Sequence, residues 1–189
     1  MAERWGSTPS GIVCYNGRMR RSESYHRQTY VDLLWQTIFR LGFPVARAWW
    51  RVSRQRHQGA LVAVHVDRSL LLLRSSYRSA WNFPGGSVKG AETPEAAARR
   101  ELAEEIGISP AGALRSAGEA SGVWDGRRDR VFFFALHLNQ LPRLHLDNRE
   151  IVGARLVPVQ DLPAMRLTEP VKAYVNGWLS EAMSRQRAQ

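Results

Sequence analysis

Three glutamates lie at a spacing that could hold a metal ion. Glu101, Glu104 and Glu105 occupy positions i, i+3 and i+4 of a stretch rich in Ala, Arg, Glu and Leu, so a helix would place them on one face. Like charges at this spacing destabilise a helix unless something positive lies among them. A hard divalent cation prefers carboxylate oxygens. The cluster therefore favours metal-assisted chemistry at phosphate.

The flanking residues fit that interpretation. Arg100 precedes Glu101 and could fix a carboxylate through a charge-assisted bond. The loop Gly85–Gly90 comes before the helix, and its glycines would let the backbone approach a ligand. Taken alone, the run ARRELAEE could equally be a solvated helix face with ion pairs.

The spacing over a longer stretch separates these alternatives. Five residues separate Gly86 from Glu92, and seven separate Glu92 from Arg100. The stretch from Gly86 to Ile108 resembles the Nudix box, G-x5-E-x7-R-E-U-x-E-E-x-G-U, where U is a bulky apolar residue. Every specified position is filled. The similarity extends over residues 59–180 and includes the segments WNFPGG and DNREIVGARLVPVQDLP. The resemblance implies a Nudix-type α/β/α sandwich with a mixed sheet, to which this chain adds a helical N-terminal extension.

The resemblance also implies an activity and a set of site residues. Members of this family hydrolyse a pyrophosphate bond in a nucleoside diphosphate linked to another group, by attack of water at phosphorus with Mg²⁺ or Mn²⁺. Transferred by position, the metal ligands are Glu101, Glu104, Glu105 and the Gly85 carbonyl. Arg100 would orient the glutamates, Gly86 and Glu92 would shape the loop, and Glu101 and the downstream acid Glu150 are both candidates for the general base.

Other residues are candidates for contacts with the substrate. Arg74 and Arg78 could grip its phosphates, although surface arginines are common. Trp81 and Trp124 could stack on a base, although most tryptophans pack within the protein. Thr168 stands where oxidised-nucleotide-cleansing members of the family have a base-reading Asn. The identity of the substrate remains open.

The elements that must position these residues follow from sequence periodicity. Thr93 is typical of an N-cap, Pro94 suits the first helical position, and Gly107 is typical of the residue that ends a helix after Ile106. Pro44, following Gly42, predicts a break or kink between helical stretches over 29–42 and 44–54. A further helix is expected from about Pro170. Strands are predicted over 60–66, 70–74, 131–138 and 154–158, which indicates an α/β domain.

Four regions are predicted along the 189 residues. Residues 1–28 form a polar arm that is mobile or extended, and 29–58 form an arginine-rich helical extension. Residues 59–184 form the Nudix domain and 185–189 a tail. We expect the cytoplasm as the location, since there is one cysteine, no apparent secretory signal and no apolar run long enough to span a membrane.

The charge distribution leaves rival functions open. The chain carries a net charge of +10, of which residues 1–58 contribute ten arginines against three acids, or +7. This indicates an anionic contact such as a membrane surface or RNA, made through residues 29–56. The apolar side of the extension could instead pack on the domain or on a second copy in a homodimer. A non-catalytic nucleotide-sensing domain is the other alternative.

Overall fold

The computed structural model describes residues 12–15, 18–21, 29–53, 56–124, 127–146 and 148–187. The N-terminal part contains a hairpin of β1 and β2 followed by a long helix, α1. In the remainder, six strands alternate with α2, a short 3-10 helix and α3. The bounds are β1 Ile12–Tyr15, β2 Arg18–Arg21, α1 Tyr30–Ser53, β3 Arg56–Val66, β4 Ser69–Ser75, β5 Gly85–Ser87, α2 Pro94–Ile106, β6 Arg115–Trp124, β7 Arg127–Leu138, β8 Ile151–Pro158, the 3-10 helix Val159–Ala164 and α3 Glu169–Arg187.

The main sheet is mixed, as predicted. Its strand order is β6-β7-β3-β4-β8, and β5 pairs with the start of β3. The pair β3 and β7 is parallel over its whole length, whereas the other pairs are antiparallel. β3 therefore pairs with β4 and β7 within the sheet and also with β5.

Helices cover both faces of this sheet. Alternate residues of β3 point to opposite sides, as they must in a strand. Val62 and Val64 pack with α2 on one side, whereas Leu61 and Ala63 pack with α3 on the other. The α/β/α sandwich is thus confirmed, with one apolar core on each face.

Helix α2 begins and ends where its sequence signals predict. The Thr93 hydroxyl accepts a hydrogen bond from the Ala96 amide, and Pro94 is the first helical residue. Gly107 ends the helix in the left-handed conformation, with φ of 72°.

The predicted break in the N-terminal extension is wrong. Helix α1 runs through Gly42 and Pro44 as one element from Tyr30 to Ser53. Proline removes a backbone hydrogen bond within a helix. Hydrogen bonds from Gln36 and Arg40, which precede Pro44, nevertheless hold α1 against the domain. Tertiary contacts here outweigh local propensity.

Several elements were not predicted, namely the β1–β2 hairpin, β5, β6 and the 3-10 helix. β3 also begins at Arg56, three residues before the predicted domain boundary at 59. The division into four regions remains a prediction, and residues 1–11, 22–28 and 188–189 lie outside the described residues. Among the described helices, none is long and apolar enough to cross a membrane.

Candidate active site

A cleft of about 880 Å³ opens beside β5 and the face of α2 that carries the glutamates. Six acidic side chains line it, namely Glu101, Glu104, Glu105, Glu150, Asp129 and Glu169. The first three come from α2, and the fourth lies just before β8. The fold thus brings the three neighbouring glutamates and the distant one to a single cleft.

Strand β5 positions the backbone of the site loop. Gly85 has φ of 138°, and a Cβ there would lie 2.1 Å from the Ala60 carbonyl oxygen. Only glycine allows this approach to β3. The Gly85 amide donates a 2.8 Å hydrogen bond to Oε2 of Glu105, a residue that is only 9% exposed.

Gly86 lies directly against the first glutamate. A Cβ at Gly86 would lie 2.6 Å from Oε1 of Glu101. The absence of a side chain is therefore what makes room for this carboxylate.

Arg100 links the acidic residues. Its Nη1 donates to Glu101 Oε1 at 2.7 Å and to Glu104 Oε2 at 3.2 Å. Its Nη2 donates to Glu92 Oε1 at 2.9 Å and to the Ser87 carbonyl at 3.1 Å. Hydrogen bonding from Arg100, followed by the bond from the Lys89 amide, lowers the pKa of Glu92. The bond to Glu92, reinforced by Glu101, raises the pKa of Arg100 against the effect of burial.

The donor chemistry fits a divalent cation. Glu92, Glu101 and Glu104 share the guanidinium of Arg100, and Glu105 accepts from the Gly85 amide, so hard oxygen donors are concentrated here. As the side chains lie, no three His, Cys, Asp or Glu residues in the described part of the chain converge closely enough to hold a metal ion. Arg100 and the Gly85 amide instead hold the carboxylates.

The downstream acid has a specific partner. The Tyr77 hydroxyl donates a 2.6 Å hydrogen bond to Oε1 of Glu150. Burial of Tyr77, and then the charge of Glu150, raise the pKa of Tyr77 far above its ordinary value. The tyrosine therefore keeps its proton and remains a donor at neutral pH.

The two predicted phosphate-binding arginines lie in different places. Arg78 lines the cleft, and its guanidinium lies 4.7 Å from the centre of the Phe43 ring. Arg74 lies over the Trp81 ring at 5.7 Å and is not among the cleft residues. Trp124 lines the cleft, as the stacking hypothesis requires.

Sequence reasoning missed several cleft residues. His57 Nε2 lies 2.7 Å from Ser87 Oγ, and its Nδ1 lies 3.5 Å from Asp129. His57 and Asp129 are opposed in the parallel register of β3 and β7, so the register would have been needed to find them. Thr168, which the sequence had singled out, also lines the cleft; it is buried and donates to Oδ1 of Asn82, a cleft residue not predicted, at 2.7 Å.

The mixed sandwich and the filled box together define the family. The NUDIX domain model matches residues 55–178, which is more than half of the chain. The chain belongs to the NUDIX domain family.

Individual relatives match shorter stretches. An RNA pyrophosphohydrolase from a Marinomonas species is 51% identical over 50 residues, covering 26% of this chain and 31% of the relative. Diphosphoinositol polyphosphate phosphohydrolase 3-alpha from Mus musculus is 36% identical over 78 residues, covering 40% and 44%. The matched stretches thus span less than half of these relatives.

Solved structures match over a longer range. The MutT NUDIX hydrolase from Burkholderia pseudomallei aligns with a TM-score of 0.58 at 21% identity, over 65% of this chain and 97% of that chain. The MutT protein from Methanosarcina mazei Go1 aligns with a TM-score of 0.60 at 19% identity, over 68% and 96%. At this identity the likeness establishes the fold.

Proposed function

We propose that this chain is a Nudix pyrophosphohydrolase that cleaves a pyrophosphate bond in a nucleoside diphosphate linked to another group. The observation that carries the proposal is the convergence of Glu101, Glu104, Glu105 and Glu150 on one cleft beside β5. The names of the two relatives, an RNA pyrophosphohydrolase and a diphosphoinositol polyphosphate phosphohydrolase, support the same reaction class.

Each residue has a proposed task. Glu101, Glu104, Glu105 and the Gly85 carbonyl would hold Mg²⁺ or Mn²⁺, which when bound would neutralise charge on the phosphates. Arg100 orients the carboxylates through its fork, while Gly86 and Glu92 shape the loop. Glu101 or Glu150 would take the proton of the attacking water. Arg78 would contact substrate phosphates from the cleft wall. Arg74 would do so if its side chain moved away from the Trp81 ring.

A panel of nucleotide substrates tests the proposal. It would contain nucleoside triphosphates, dinucleoside polyphosphates, nucleotide sugars, NADH and 5′-triphosphate RNA, each with Mg²⁺ or Mn²⁺. We expect the wild type to turn over one class, and Glu104→Gln and Glu105→Gln to lose at least about 100-fold. The exposed Glu119, paired with Arg130 on the sheet edge, offers Glu119→Gln as a charge-matched control with full activity.

Two results would contradict the proposal. Turnover that survives both substitutions in α2 would place the reaction elsewhere. Tight nucleotide binding without turnover across the whole panel would favour the nucleotide-sensing alternative.

For the outer face of α1, we propose contact with a second copy of this chain. Val31, Leu34, Ile38, Leu41 and Val45 are 47–71% exposed, and their alternating spacing of three and four residues is that of heptad positions a and d. β-branched residues at a with leucine at d favour a parallel pair of helices. The opposite face of α1 packs on the domain through Gln36 and Phe39.

Charge and length are compatible with this pairing. The described side chains that flank the seam are uncharged, namely Tyr30, Trp35, Thr37, Gly42 and Pro44, so pairing opposes no like charges there. A 24-residue helix is about 36 Å long. Two such helices in contact bury on the order of 1,000 Å², the minimum for a specific interface.

Light scattering of the full chain tests the homodimer. We expect the wild type and the off-seam variant Leu33→Glu to be dimers, and Ile38→Glu to be a monomer. A monomeric wild type would overturn the pairing. Binding of that monomer to anionic vesicles, or to RNA lacking a 5′-triphosphate, would instead support the membrane or RNA alternative.

A cytoplasmic location, proposed from the single cysteine, is tested by cell fractionation.

A further inference from the structure

We propose that Tyr77 is a positioning residue for Glu150, and that helix α1 holds Tyr77 in place, so that the N-terminal extension is a working part of the active site. This inference rests on the proposed function. It assigns a catalytic contribution to a segment that the family resemblance leaves outside the domain.

The first step is the contact between the tyrosine and the acid. The Tyr77 hydroxyl donates to Glu150 Oε1 at 2.6 Å, a short bond to a charged acceptor. Glu150 lines the same cleft as Glu101, Glu104 and Glu105. A bond from a fixed donor restricts the rotamer of the Glu150 carboxylate.

The second step is the packing of the Tyr77 ring. Phe43 of α1 lies with its ring centre 4.8 Å from that of Tyr77, and Phe39 lies at 6.1 Å. Both distances are those of interacting aromatic pairs. Phe43 and Tyr77 also line the cleft themselves. Helix α1 therefore forms part of the cleft wall beside Glu150.

The third step is the backbone on either side of these residues. The Arg40 guanidinium of α1 donates from Nε to the Ser76 carbonyl at 3.0 Å, and the Ser76 amide donates to the Glu150 carbonyl at 2.7 Å. The Gln36 side chain, which is buried, donates to the Asn148 carbonyl at 2.7 Å. One helix thus ties together the two loop segments that carry Tyr77 and Glu150.

The ion pair at the start of α1 reinforces this attachment. Asp32 accepts a 3.3 Å hydrogen bond from the guanidinium of Arg149, and Arg149 is the residue next to Glu150. The contacts of α1 with the domain through Asp32, Gln36 and Arg40 reach the two segments that flank the Tyr77–Glu150 bond. This concentration on the two segments that carry Tyr77 and Glu150 is the reason to assign a positioning role instead of a general stabilising one.

A double-mutant cycle tests the first link. Tyr77→Phe keeps the ring against Phe43 and Phe39 and removes only the hydroxyl. We expect kcat to fall roughly ten-fold with KM changed less than about two-fold, the size typical of a residue that orients a catalytic group. Glu150→Gln should lower kcat by about 100-fold, and Tyr77→Phe should cost nothing further in that background.

Two variants in α1 test the second link. Gln36→Ala removes the bond to Asn148, and Phe39→Leu removes ring packing on Tyr77. We expect each to lower kcat about three- to ten-fold, and to have little effect once Tyr77 is Phe. Thr37→Ala is the matched control, because its exposed hydroxyl donates to the Leu33 carbonyl of α1 itself, and it should keep full activity.

The outcomes separate this inference from the proposed function. A wild type that is inactive on every substrate refutes the proposed function and the inference with it. An active wild type whose Glu150→Gln or Tyr77→Phe variant keeps full kcat refutes the inference alone. Additive losses in the double mutant, or equal changes in kcat, KM and thermal stability, would show that Tyr77 and α1 act only on the fold.

Discussion

Arg100 shows how one side chain organises the site at the residue scale. Its guanidinium serves three carboxylates and a backbone carbonyl, all within 3.3 Å. A planar fork can bind partners on two sides at once, whereas the ammonium of lysine acts as a point charge. The identity of this residue therefore determines how the acids are arranged, beyond supplying a positive charge.

Gly86→Ala should lower activity without lowering stability. The added Cβ would lie 2.6 Å from the Glu101 carboxylate. That carboxylate is the end of a flexible side chain, so it can move away at small cost to the fold. We expect kcat to fall by about ten-fold or more while the urea midpoint stays within experimental error.

The control for this prediction is Gly112→Ala. A Cβ at Gly112 meets nothing within 4 Å, so activity and stability should both be retained. Full activity of Gly86→Ala would mean that the position of the Glu101 carboxylate is unimportant for the reaction.

At the element scale, a helix or strand is predicted well when the residues that determine it are close to it in the sequence, and poorly when they are distant. Helix α2 is predicted to the residue because its caps, Thr93 and Gly107, are local signals. The glutamate cluster follows from the same helix. Helix α1 is predicted in two pieces because Pro44 is local, whereas the contacts that hold the helix come from residues 76 and 148.

The missed strands and the missed tyrosine have related causes. β5 is only Gly-Gly-Ser, which has little strand propensity and pairs because Gly85 lets β3 approach. β6 is a largely exposed edge strand rich in small residues. Tyr77 lies 73 residues from Glu150, so no local pattern connects them.

Thr93→Ala should destabilise the element that carries the glutamates. The Thr93 hydroxyl accepts from the Ala96 amide at 3.2 Å, and loss of such a cap costs about 1 kcal/mol. We expect urea denaturation to show this loss, with Thr93→Ser retaining most of the stability. An unchanged midpoint in Thr93→Ala would show that packing of Ala97 and Ala98, and not the cap, holds the first turn.

At the scale of the whole molecule, the sheet separates two apolar cores, and the core beneath α3 borders a titratable group. His65 is 7% exposed and lies 3.3 Å from the Tyr174 hydroxyl. Its ring stacks on His137 with centres 4.5 Å apart. Burial, and then the neighbouring His137 and Arg115, lower the pKa of His65 to about 4.

This histidine makes stability depend on pH. The unfolded chain protonates His65 near its ordinary pKa of 6.5, whereas the folded chain does so only near 4. Between these values the unfolded state binds the extra proton, so the free energy of unfolding falls as the pH drops below 6.5. From pH 7.5 to pH 5 we expect a loss of about 1–2 kcal/mol from this group.

Urea denaturation of the full chain at pH 7.5 and pH 5 measures this loss. His65→Gln, which is neutral throughout, should abolish most of it, whereas the exposed His145 offers His145→Gln as a control that keeps the wild-type dependence. The same decrease in His65→Gln as in the wild type would assign the pH dependence to other groups. The expected result would instead show that acid acts on α3 and the sheet through one buried ring.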